Sequence, residues 1–273
     1  MPDFRGARVG LLESRFGSEA ADMVRRMGGR PVSAPALREL PNEIPDLCSG
    51  VLRRLEAARQ PVLVCLTGAG LRALFTQADA RGCGPALDAA IARAMTVCRG
   101  PKPAGALASR GLPVSLRAST PYTTDEVIEA LEPLDFEARF VVLIHHGERN
   151  EPLARWLIDR GAELHELLPY RWSLPEDTAP VRQLAGAILG GEIDAMAFTS
   201  QVQVDHLYQI AGSERAGALT VALNERTVTG AIGPTCAGAL EAAGVRPAVT
   251  ADPPKLGPLL TGLALLLEGR SRQ

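Results

Sequence analysis

Short apolar runs alternate with amphipathic segments along the whole chain, which is the pattern of strands followed by helices. The pattern predicts strands at Arg8–Leu12, Arg30–Ala34, Pro61–Leu66, Ala94–Cys98, Pro113–Leu116, Arg139–Ile144, Glu163–Leu168, Ile193–Phe198, Arg226–Ile232 and Pro247–Thr250. It predicts helices at Ser18–Met27, Asp46–Ala58, from about Gly70, after Pro101, at Thr124–Leu131, Glu151–Arg160, Val181–Leu189, Val202–Ile210, after Pro234 and at Lys255–Glu268. Strands that alternate with helices in this way form mostly parallel sheets covered on both faces.

The chain also repeats itself at an interval of 132 or 133 residues. The octapeptide Gly-Pro-x-x-Ala-Gly-Ala-Leu occurs at residues 100–107 and again at 233–240. A second pair of repeated segments is Leu66-Thr67-Gly68 and Phe198-Thr199-Ser200. Each segment ends an apolar run and begins a predicted helix. Such self-similarity predicts two copies of one α/β unit, with a binding cleft between the copies.

Two proline-rich stretches interrupt this alternation, one from Ala34 to Pro45 and one from Pro169 to Pro180. Their spaced prolines are typical of extended linkers. Repeat arithmetic alone would divide the chain near residue 136 into two tandem modules. Two crossings instead favour one module that interrupts the other, and the spacing does not decide between these arrangements.

Composition narrows the classes of function. The formal net charge is −2, so no overall basic field points to nucleic acid. The five cysteines show no C-x-x-C spacing, and no charged leader or long uncharged apolar stretch is present. We therefore expect a protein of the reducing cytoplasm that neither enters a membrane nor depends on disulfides.

Six loops follow predicted strands at the sheet edge where open parallel sheets bind ligands. They contain glycines, hydroxyls or arginines next to helix N-termini, a combination that suits anions. The alternative is that these residues are ordinary turn and cap residues. The six loops are 13–15, 67–70, 99–102, 147–149, 199–200 and 233–235.

Other motifs give weaker signals. Residues 68–73 read G-x-G-x-x-A after a strand, as in dinucleotide-binding proteins, but Asp88, the acid at the required distance, falls in a helical run. His145-His146 follows a strand, but no third metal ligand stands at a suitable spacing. Tyr170 lies in the second crossing, where its phenol could exchange a proton with a ligand or simply anchor the junction.

Together these residues resemble the uroporphyrinogen-III synthase family over essentially the whole chain. The segments that carry the resemblance are 193–200, 231–235 with Ala239, Leu240 and Gly244, 99–102, and 169–171. The resemblance implies an α/β fold of two similar open parallel-sheet domains, joined by two extended crossings, with a cleft between them. The implied domains are residues 1–37 with 175–273, and residues 38–174 as an insertion.

The resemblance also implies a lyase that needs no cofactor and no metal. Its substrate would be hydroxymethylbilane, which it would close into a macrocycle with loss of water and inversion of ring D through a spiro intermediate. Tyr170 would be the catalytic acid. The implied substrate-binding residues are Arg15, Thr67, Gly68, Arg99, Gly100, Lys102, Gly147, Arg149, Thr199, Ser200, Gly233 and Thr235.

The expected context is a cytoplasmic monomer that receives its substrate from hydroxymethylbilane synthase and binds neither nucleic acid nor membrane. The chain departs from the family pattern at Thr67-Gly68-Ala69, where many members have Thr-Ser, and at Lys102-Pro103. Two other functions stay open, an inactive tetrapyrrole-binding regulatory module of the same fold and a nucleotide-binding α/β enzyme.

Overall fold

The computed structural model describes residues 2–14 and 17–270, with the backbone alone for residue 270. Its strands are β1 (Arg8–Leu11), β2 (Arg30–Ser33), β3 (Arg38–Pro41), β4 (Val62–Cys65), β5 (Met95–Cys98), β6 (Leu116–Arg117), β7 (Phe140–Ile144), β8 (Glu163–Leu167), β9 (Tyr170–Ser173), β10 (Ala195–Phe198), β11 (Val228–Ala231) and β12 (Val249–Thr250).

Helices connect these strands. They are α1 (Gly17–Arg26), α2 (Leu52–Ala57), α3 (Gly68–Ala80), α4 (Gly84–Arg93), α5 (Pro101–Ala108), α6 (Thr124–Leu131), α7 (Glu151–Asp159), α8 (Ala179–Leu189), α9 (Gln201–Ala211), α10 (Ser213–Glu225), α11 (Pro234–Ala242) and α12 (Leu256–Arg270). A π-helical turn, Leu47–Val51, runs directly into α2. Among the described residues, no helix has the length and apolar character that a membrane span requires.

The chain forms two compact units. Unit 1 contains residues 1–38 and 173–273, and unit 2 contains residues 39–172. Each unit has a parallel five-stranded sheet, with the strand order β12-β11-β10-β1-β2 in unit 1 and β6-β5-β4-β7-β8 in unit 2. All residues of the inner strands β4, β7, β10 and β11 are buried, because helices cover both faces of each sheet.

Every strand in the first half of the chain has a counterpart in the second half, and each pair of counterparts begins 132 or 133 residues apart. The first two strands of each repeat, however, join the last three strands of the other repeat. Thus β1 and β2 complete the sheet of β10–β12, and β7 and β8 complete the sheet of β4–β6. The repeats exchange their first strands, so each compact unit contains strands from both repeats.

The structure corrects how the second pair of repeated segments, residues 66–68 and 198–200, is aligned. Thr67 is the N-cap residue of α3 and Ser200 is the N-cap residue of α9, so the equivalent positions are 133 residues apart. The sequence pattern had instead aligned Thr67 with Thr199. The interval of 133 also holds for the octapeptides, which begin α5 and α11 at equivalent positions.

Four elements were absent from the sequence prediction. Strands β3 and β9 lie within the two crossings and form a separate two-stranded sheet, so neither has the apolar pattern of a sheet interior. Helix α4 follows α3 after a short break at Cys83, and the two were predicted as one segment. Helix α10 buries only Leu219, Ala222 and Leu223; its other positions are small or polar apart from the exposed Val221, which leaves a weak periodic signal.

Cys48 and Cys83 form a disulfide in unit 2, contrary to the expected absence of disulfides. Cys48 lies in the π-helical turn and Cys83 precedes α4, so their spacing in sequence gave no sign of the pairing. Their Cα atoms are 6.1 Å apart, which is within the range that a disulfide spans. The other three cysteines, Cys65, Cys98 and Cys236, are free and buried.

Reduction of this disulfide should destabilise unit 2. The bridged cysteines are 35 residues apart, and a closed loop of that size stabilises a domain by about 3 to 4 kcal/mol. The two tryptophans, Trp156 and Trp172, both lie in unit 2, so their fluorescence follows the denaturant unfolding of this unit alone. We expect a lower unfolding midpoint in dithiothreitol.

Cys83→Ser is the matched control, because it should show the lower midpoint with or without reductant. Coincident midpoints for the oxidised and reduced wild-type protein would contradict the prediction.

Candidate active site

In each unit the candidate residues lie where parallel strands end and the following helices begin. In unit 2, β4 leads through Leu66 and Thr67 into α3, and β5 leads through Arg99 and Gly100 into α5. Because neighbouring parallel strands end at the same edge of a sheet, these loops are adjacent. Strand β7 contributes the third loop, residues 145–150, which leads into α7.

Close packing explains two of the predicted glycines in unit 2. A Cβ atom on Gly68 would lie 2.5 Å from the carbonyl oxygen of Lys102, so only glycine lets α3 begin this close to α5. A Cβ atom on Gly100 would lie 3.2 Å from Cγ of Tyr122. In unit 1 the equivalent Gly233 packs similarly, since its Cβ atom would lie 3.1 Å from Cβ of Pro254.

Gly147 has a backbone that only glycine adopts readily, with φ of +87°. A Cβ atom here would also lie 2.4 Å from Cε2 of Trp172. The carbonyl oxygen of Gly147 accepts a hydrogen bond of 3.2 Å from the backbone N–H of Trp172. This glycine therefore joins the third loop to β9 and lets the indole lie flat against the backbone.

Tyr170 is the first residue of β9, and its side chain is buried in unit 2 with 6% of its surface exposed. Its hydroxyl points to Oγ1 of Thr67 at 3.5 Å, which is longer than an ordinary O–H···O hydrogen bond. The same Thr67 oxygen accepts a bond of 3.2 Å from the N–H of Ala69, which caps α3. Thr67 thus holds the phenol at the N-terminus of a helix.

Arg99 lies beside Tyr170 and is partly buried. Burial lowers the pKa of its guanidinium, and the neighbouring Tyr170 phenol opposes that shift. Among the described residues, no carboxylate forms an ion pair with Arg99. Because a buried charge is normally paired, an unpaired arginine at a loop edge indicates a site for an anionic group.

His146 belongs to the same cluster, although the sequence offered it only as a possible metal ligand and not as a residue that binds substrate. Its ring packs edge-on against Trp172, with 5.4 Å between the ring centroids, and its buried Nδ1 atom has no hydrogen-bond partner in the part of the chain that the structure describes. Burial lowers the pKa of His146 to about 3, with smaller contributions from the charges of Arg99 and His145. The imidazole is therefore neutral at pH 7 and leaves Arg99 as the positive charge of the cluster.

Arg149 does not have the free guanidinium that its predicted role in binding requires. Its Nε and Nη2 atoms donate to Glu166 at 2.7 and 2.9 Å, and a second carboxylate, Glu151, also pairs with it. Glu166 is on β8, which is remote from Arg149 in sequence. The structure thus corrects this prediction: Arg149 stabilises the loop and does not offer an unpaired charge.

His145 has a structural role in the same loop. It is 2% exposed, and its Nε2 atom donates to Glu166 at 2.8 Å while Nδ1 accepts from the N–H of Asn150 at 3.1 Å. Burial lowers the pKa of His145, although Glu166 opposes the shift. The expectation that strand-end histidines cap a loop fits this geometry. Within the described residues, no three His, Cys, Asp or Glu side chains are grouped to hold a metal.

The α5 and α11 N-termini differ in what they can donate. Pro101 and Pro103 remove two of the first three N–H groups of α5, so Lys102 contributes one N–H and an exposed ammonium. Of the first three residues of α11, only Pro234 lacks a backbone N–H, and Thr235 and Cys236 each have one. Both helix ends can attract anions, but α5 does so more through a side chain.

In unit 1 the loop after β10 forms its own hydrogen-bond network. Thr199 donates through Oγ1 to Glu13, which follows β1, and receives a bond of 2.8 Å from Nε2 of Gln203. The next residue, Ser200, has a buried hydroxyl that makes no hydrogen bond to any described residue. Thr235 is exposed in the first turn of α11. Arg15, the remaining predicted residue of unit 1, lies outside the described residues.

The structure does not support the dinucleotide interpretation of residues 68–73. The space beside Gly68 is filled by the backbone of Lys102, and the space beside Gly70 is filled by Thr67 and Ile144. Asp88 lies on α4, where Arg110 binds it with three hydrogen bonds. The glycines therefore serve packing within the protein and leave no approach for a pyrophosphate.

Comparison with known proteins yields one consistent family. Residues 18–261 match the family model described as "Uroporphyrinogen-III synthase HemD". The "Uncharacterized protein YjjA" of Bacillus subtilis (strain 168) is 30% identical over 275 residues, which cover 96% of this chain and 97% of that protein.

Solved structures agree with the sequence matches. A crystal structure of a mutant uroporphyrinogen III synthase from the extremely thermophilic bacterium Thermus thermophilus is 30% identical, with a TM-score of 0.76 and coverage of 96% of this chain and 99% of the other. A structure of uroporphyrinogen-III synthetase from Helicobacter pylori 26695 has 16% identity and a TM-score of 0.54, with coverage of 96% and 99%, and shares the fold.

Gly147→Ala should displace the Trp172 indole. A left-handed alanine costs about 1 kcal/mol, and the clash with the ring should add about 1 to 3 kcal/mol. Denaturant unfolding in a Trp156→Phe background, where Trp172 is the only tryptophan, measures both the loss of stability and the shift in tryptophan emission.

Gly111→Ala is the matched control, because Gly111 also has a positive φ, +69°, but no atom lies within 4 Å of the position that its Cβ would occupy. Equal destabilisation by the two substitutions, with unchanged Trp172 emission, would show that the packing against Gly147 is unimportant.

Proposed function

Because the chain belongs to the uroporphyrinogen-III synthase family, we propose that it converts hydroxymethylbilane into uroporphyrinogen III. One observation carries the proposal beyond family membership. In unit 2 the buried phenol of Tyr170 lies beside the partly buried Arg99. Among the described residues, no carboxylate forms an ion pair with Arg99. A proton donor next to a site for an anion suits a substrate that bears acetate and propionate groups and must lose a hydroxyl.

In the proposed first step, Tyr170 donates its proton to the leaving hydroxyl of hydroxymethylbilane. The carbon–oxygen bond breaks as the electron pair of the adjoining pyrrole nitrogen moves toward the carbon. Water leaves, Tyr170 becomes a phenolate, and the bilane carries one positive charge. Arg99 stabilises the phenolate through its own positive charge, which makes the transfer less costly.

The cationic carbon then bonds to the ring D carbon that already carries the bridge to ring C, which forms the spiro intermediate. That bridge bond breaks, and the released cationic carbon bonds to the free α-carbon of ring D. This carbon loses its proton, which returns to the Tyr170 phenolate. Ring D is now inverted, the macrocycle is closed, and the protein is restored to its starting state.

Orientation is the main requirement of this reaction, because an unguided bilane can close without inversion. Binding that holds the reacting carbons in the reactive geometry lowers the entropy cost of reaching the transition state. We propose that Arg99, Lys102 and the helix N-terminus after Gly100 bind carboxylates of the substrate. These groups are fixed by packing, so the substrate is positioned by donors that need no rearrangement.

Tyr170→Phe tests the assigned proton donor. The substitution removes only the hydroxyl and keeps the ring that packs against Trp172, so folding should be preserved. We expect turnover to fall by about 100-fold or more, which is the usual contribution of a general acid. The assay supplies hydroxymethylbilane from porphobilinogen and purified deaminase, and it measures formation of the type III isomer.

Tyr208→Phe is the control, because Tyr208 of unit 1 also loses a hydroxyl that is hydrogen-bonded, to Thr220. Wild-type turnover by Tyr170→Phe would refute the proton donor. Tight binding of the tetrapyrrole by the wild-type protein without ring closure would contradict the proposed enzyme and favour a regulatory module.

Arg99→Met tests the proposed site for a substrate carboxylate. It removes the guanidinium but keeps a long apolar stem in the partly buried position. Loss of a charge-assisted hydrogen bond should raise KM by roughly 10- to 100-fold. Arg93→Met, at the exposed end of α4 in the same unit, is the control. An unchanged KM and turnover for Arg99→Met would remove Arg99 from the site.

A further inference from the structure

Glu13 occupies an unusual position for an acidic residue. It follows β1 at the carboxyl edge of the unit 1 sheet, where the sequence pattern predicts groups that bind anions. Parallel pairing of β1 with β10 brings it next to Thr199, which is 186 residues later in the chain. A carboxylate at this edge repels the acetate and propionate groups of a tetrapyrrole, so it must serve a different part of the ligand.

Hydrogen bonds fix the orientation of this carboxylate. Gln203 is 1% exposed, and its Oε1 atom accepts a bond of 2.8 Å from the backbone N–H of Thr199. This contact identifies the other end of the amide as the donor, and Nε2 donates to Oγ1 of Thr199 at 2.8 Å. The Thr199 hydroxyl must then direct its own hydrogen to Glu13, since an ionised carboxylate can only accept.

The hydroxyl hydrogen of Thr199 is therefore used in the bond to Glu13 and is not available to a ligand. This differs from the prediction that Thr199 donates a hydrogen bond to the substrate. Only one oxygen of the carboxylate, Oε2, accepts the Thr199 bond. Among the described residues, the second oxygen, Oε1, accepts no hydrogen bond. The network thus positions a half-buried negative charge with one acceptor oxygen available.

Ser200 provides an independent sign of a ligand at the same edge. As the N-cap residue of α9 it would normally accept a bond from the helix backbone, as the equivalent Thr67 does for α3. Its side chain makes no capping bond, and within residues 2–14 and 17–270 its buried Oγ atom has no hydrogen-bond partner. A buried hydroxyl without a partner is costly, so its retention next to Thr199 favours a bond to a bound molecule.

We propose that the Glu13 carboxylate and the Ser200 hydroxyl accept hydrogen bonds from pyrrole N–H groups of the tetrapyrrole, and that Glu13 balances the positive charge left when water departs. This inference rests on the proposed function, because it assigns a role within that reaction. The charge created by water loss is shared with pyrrole nitrogen, so its N–H becomes a stronger donor in the cation than in the bilane. No atom is transferred to Glu13, and Thr199 and Gln203 act as positioning residues.

Glu13→Gln tests this role, since it keeps the size of the side chain and removes the charge. A group that acts on the cation more than on the neutral bilane should change kcat and leave KM nearly constant. We expect kcat to fall by about 100-fold and KM to change by less than about threefold. Glu241→Gln, an exposed change on α11 of the same unit, should match the wild type.

A pair of substitutions at Thr199 tests the positioning network. Thr199→Ser keeps the hydroxyl that orients Glu13 and should retain turnover, whereas Thr199→Val removes it and should lower kcat by about 10-fold at similar KM. Rescue by serine separates orientation of the carboxylate from a general loss of stability, and thermal unfolding of both variants checks that they fold. Equal kcat values for the serine and valine variants would overturn the positioning role.

The outcomes distinguish this inference from the function on which it rests. If the wild-type protein forms the type III isomer and Glu13→Gln does so with unchanged kcat, the role of Glu13 is overturned and the proposed function stands. If Glu13→Gln raises KM instead and leaves kcat intact, Glu13 only binds the ground state and the inference is again overturned. If the wild-type protein forms no type III isomer, both proposals fail together.

Discussion

Parallel pairing between strands of different repeats is the constraint on which the rest of the structure depends. Val9 of β1 is the partner of Ala195 of β10, and Val62 of β4 is the partner of Val141 of β7. Each sheet is therefore centred on a junction between the two halves of the chain. Because the strands are parallel, both members of each junction end at the same edge, and the residues that follow them are brought together from distant parts of the sequence.

The two sheet edges have diverged in charge although they descend from equivalent positions. Unit 2 presents Arg99, which forms no ion pair with a carboxylate among the described residues, together with the neutral His146 and the buried phenol of Tyr170. Unit 1 presents a carboxylate oriented by Thr199 and Gln203, with the unpartnered Ser200 hydroxyl beside it. The unit 2 edge therefore has groups that suit anions, whereas the unit 1 edge has acceptors that suit N–H donors.

The sequence was sufficient for those parts of the structure that depend on local pattern. Apolar runs and turn residues predicted the strands of both sheets, and the repeated octapeptide marked the equivalent helices α5 and α11. The pairing of β3 with β9 was missed because two isolated strands need no alternating apolar face. The disulfide between Cys48 and Cys83 was missed because it depends on how the π-helical turn before α2 packs against the start of α4, which no motif records.

Site residues were hardest to predict where a partner from elsewhere in the chain decides their role. Arg149 looked like a ligand-binding arginine, but Glu166 of β8 occupies it. Thr199 looked like a donor to the substrate, but Glu13 accepts its hydrogen. The role of His146 follows from its burial against Trp172, a property of the folded chain alone. In each case the residue type was informative, and the missing knowledge was its neighbour in space.

The central claim is that these edges guide a tetrapyrrole through closure with inversion of one ring. The most direct measurement is ¹³C NMR of the macrocycle formed from hydroxymethylbilane that carries ¹³C in its bridging carbons. The account predicts that the purified protein alone yields a product in which the ring D side chains are reversed relative to the other three rings. A product whose four rings all keep their original order, at the rate seen without protein, would contradict it.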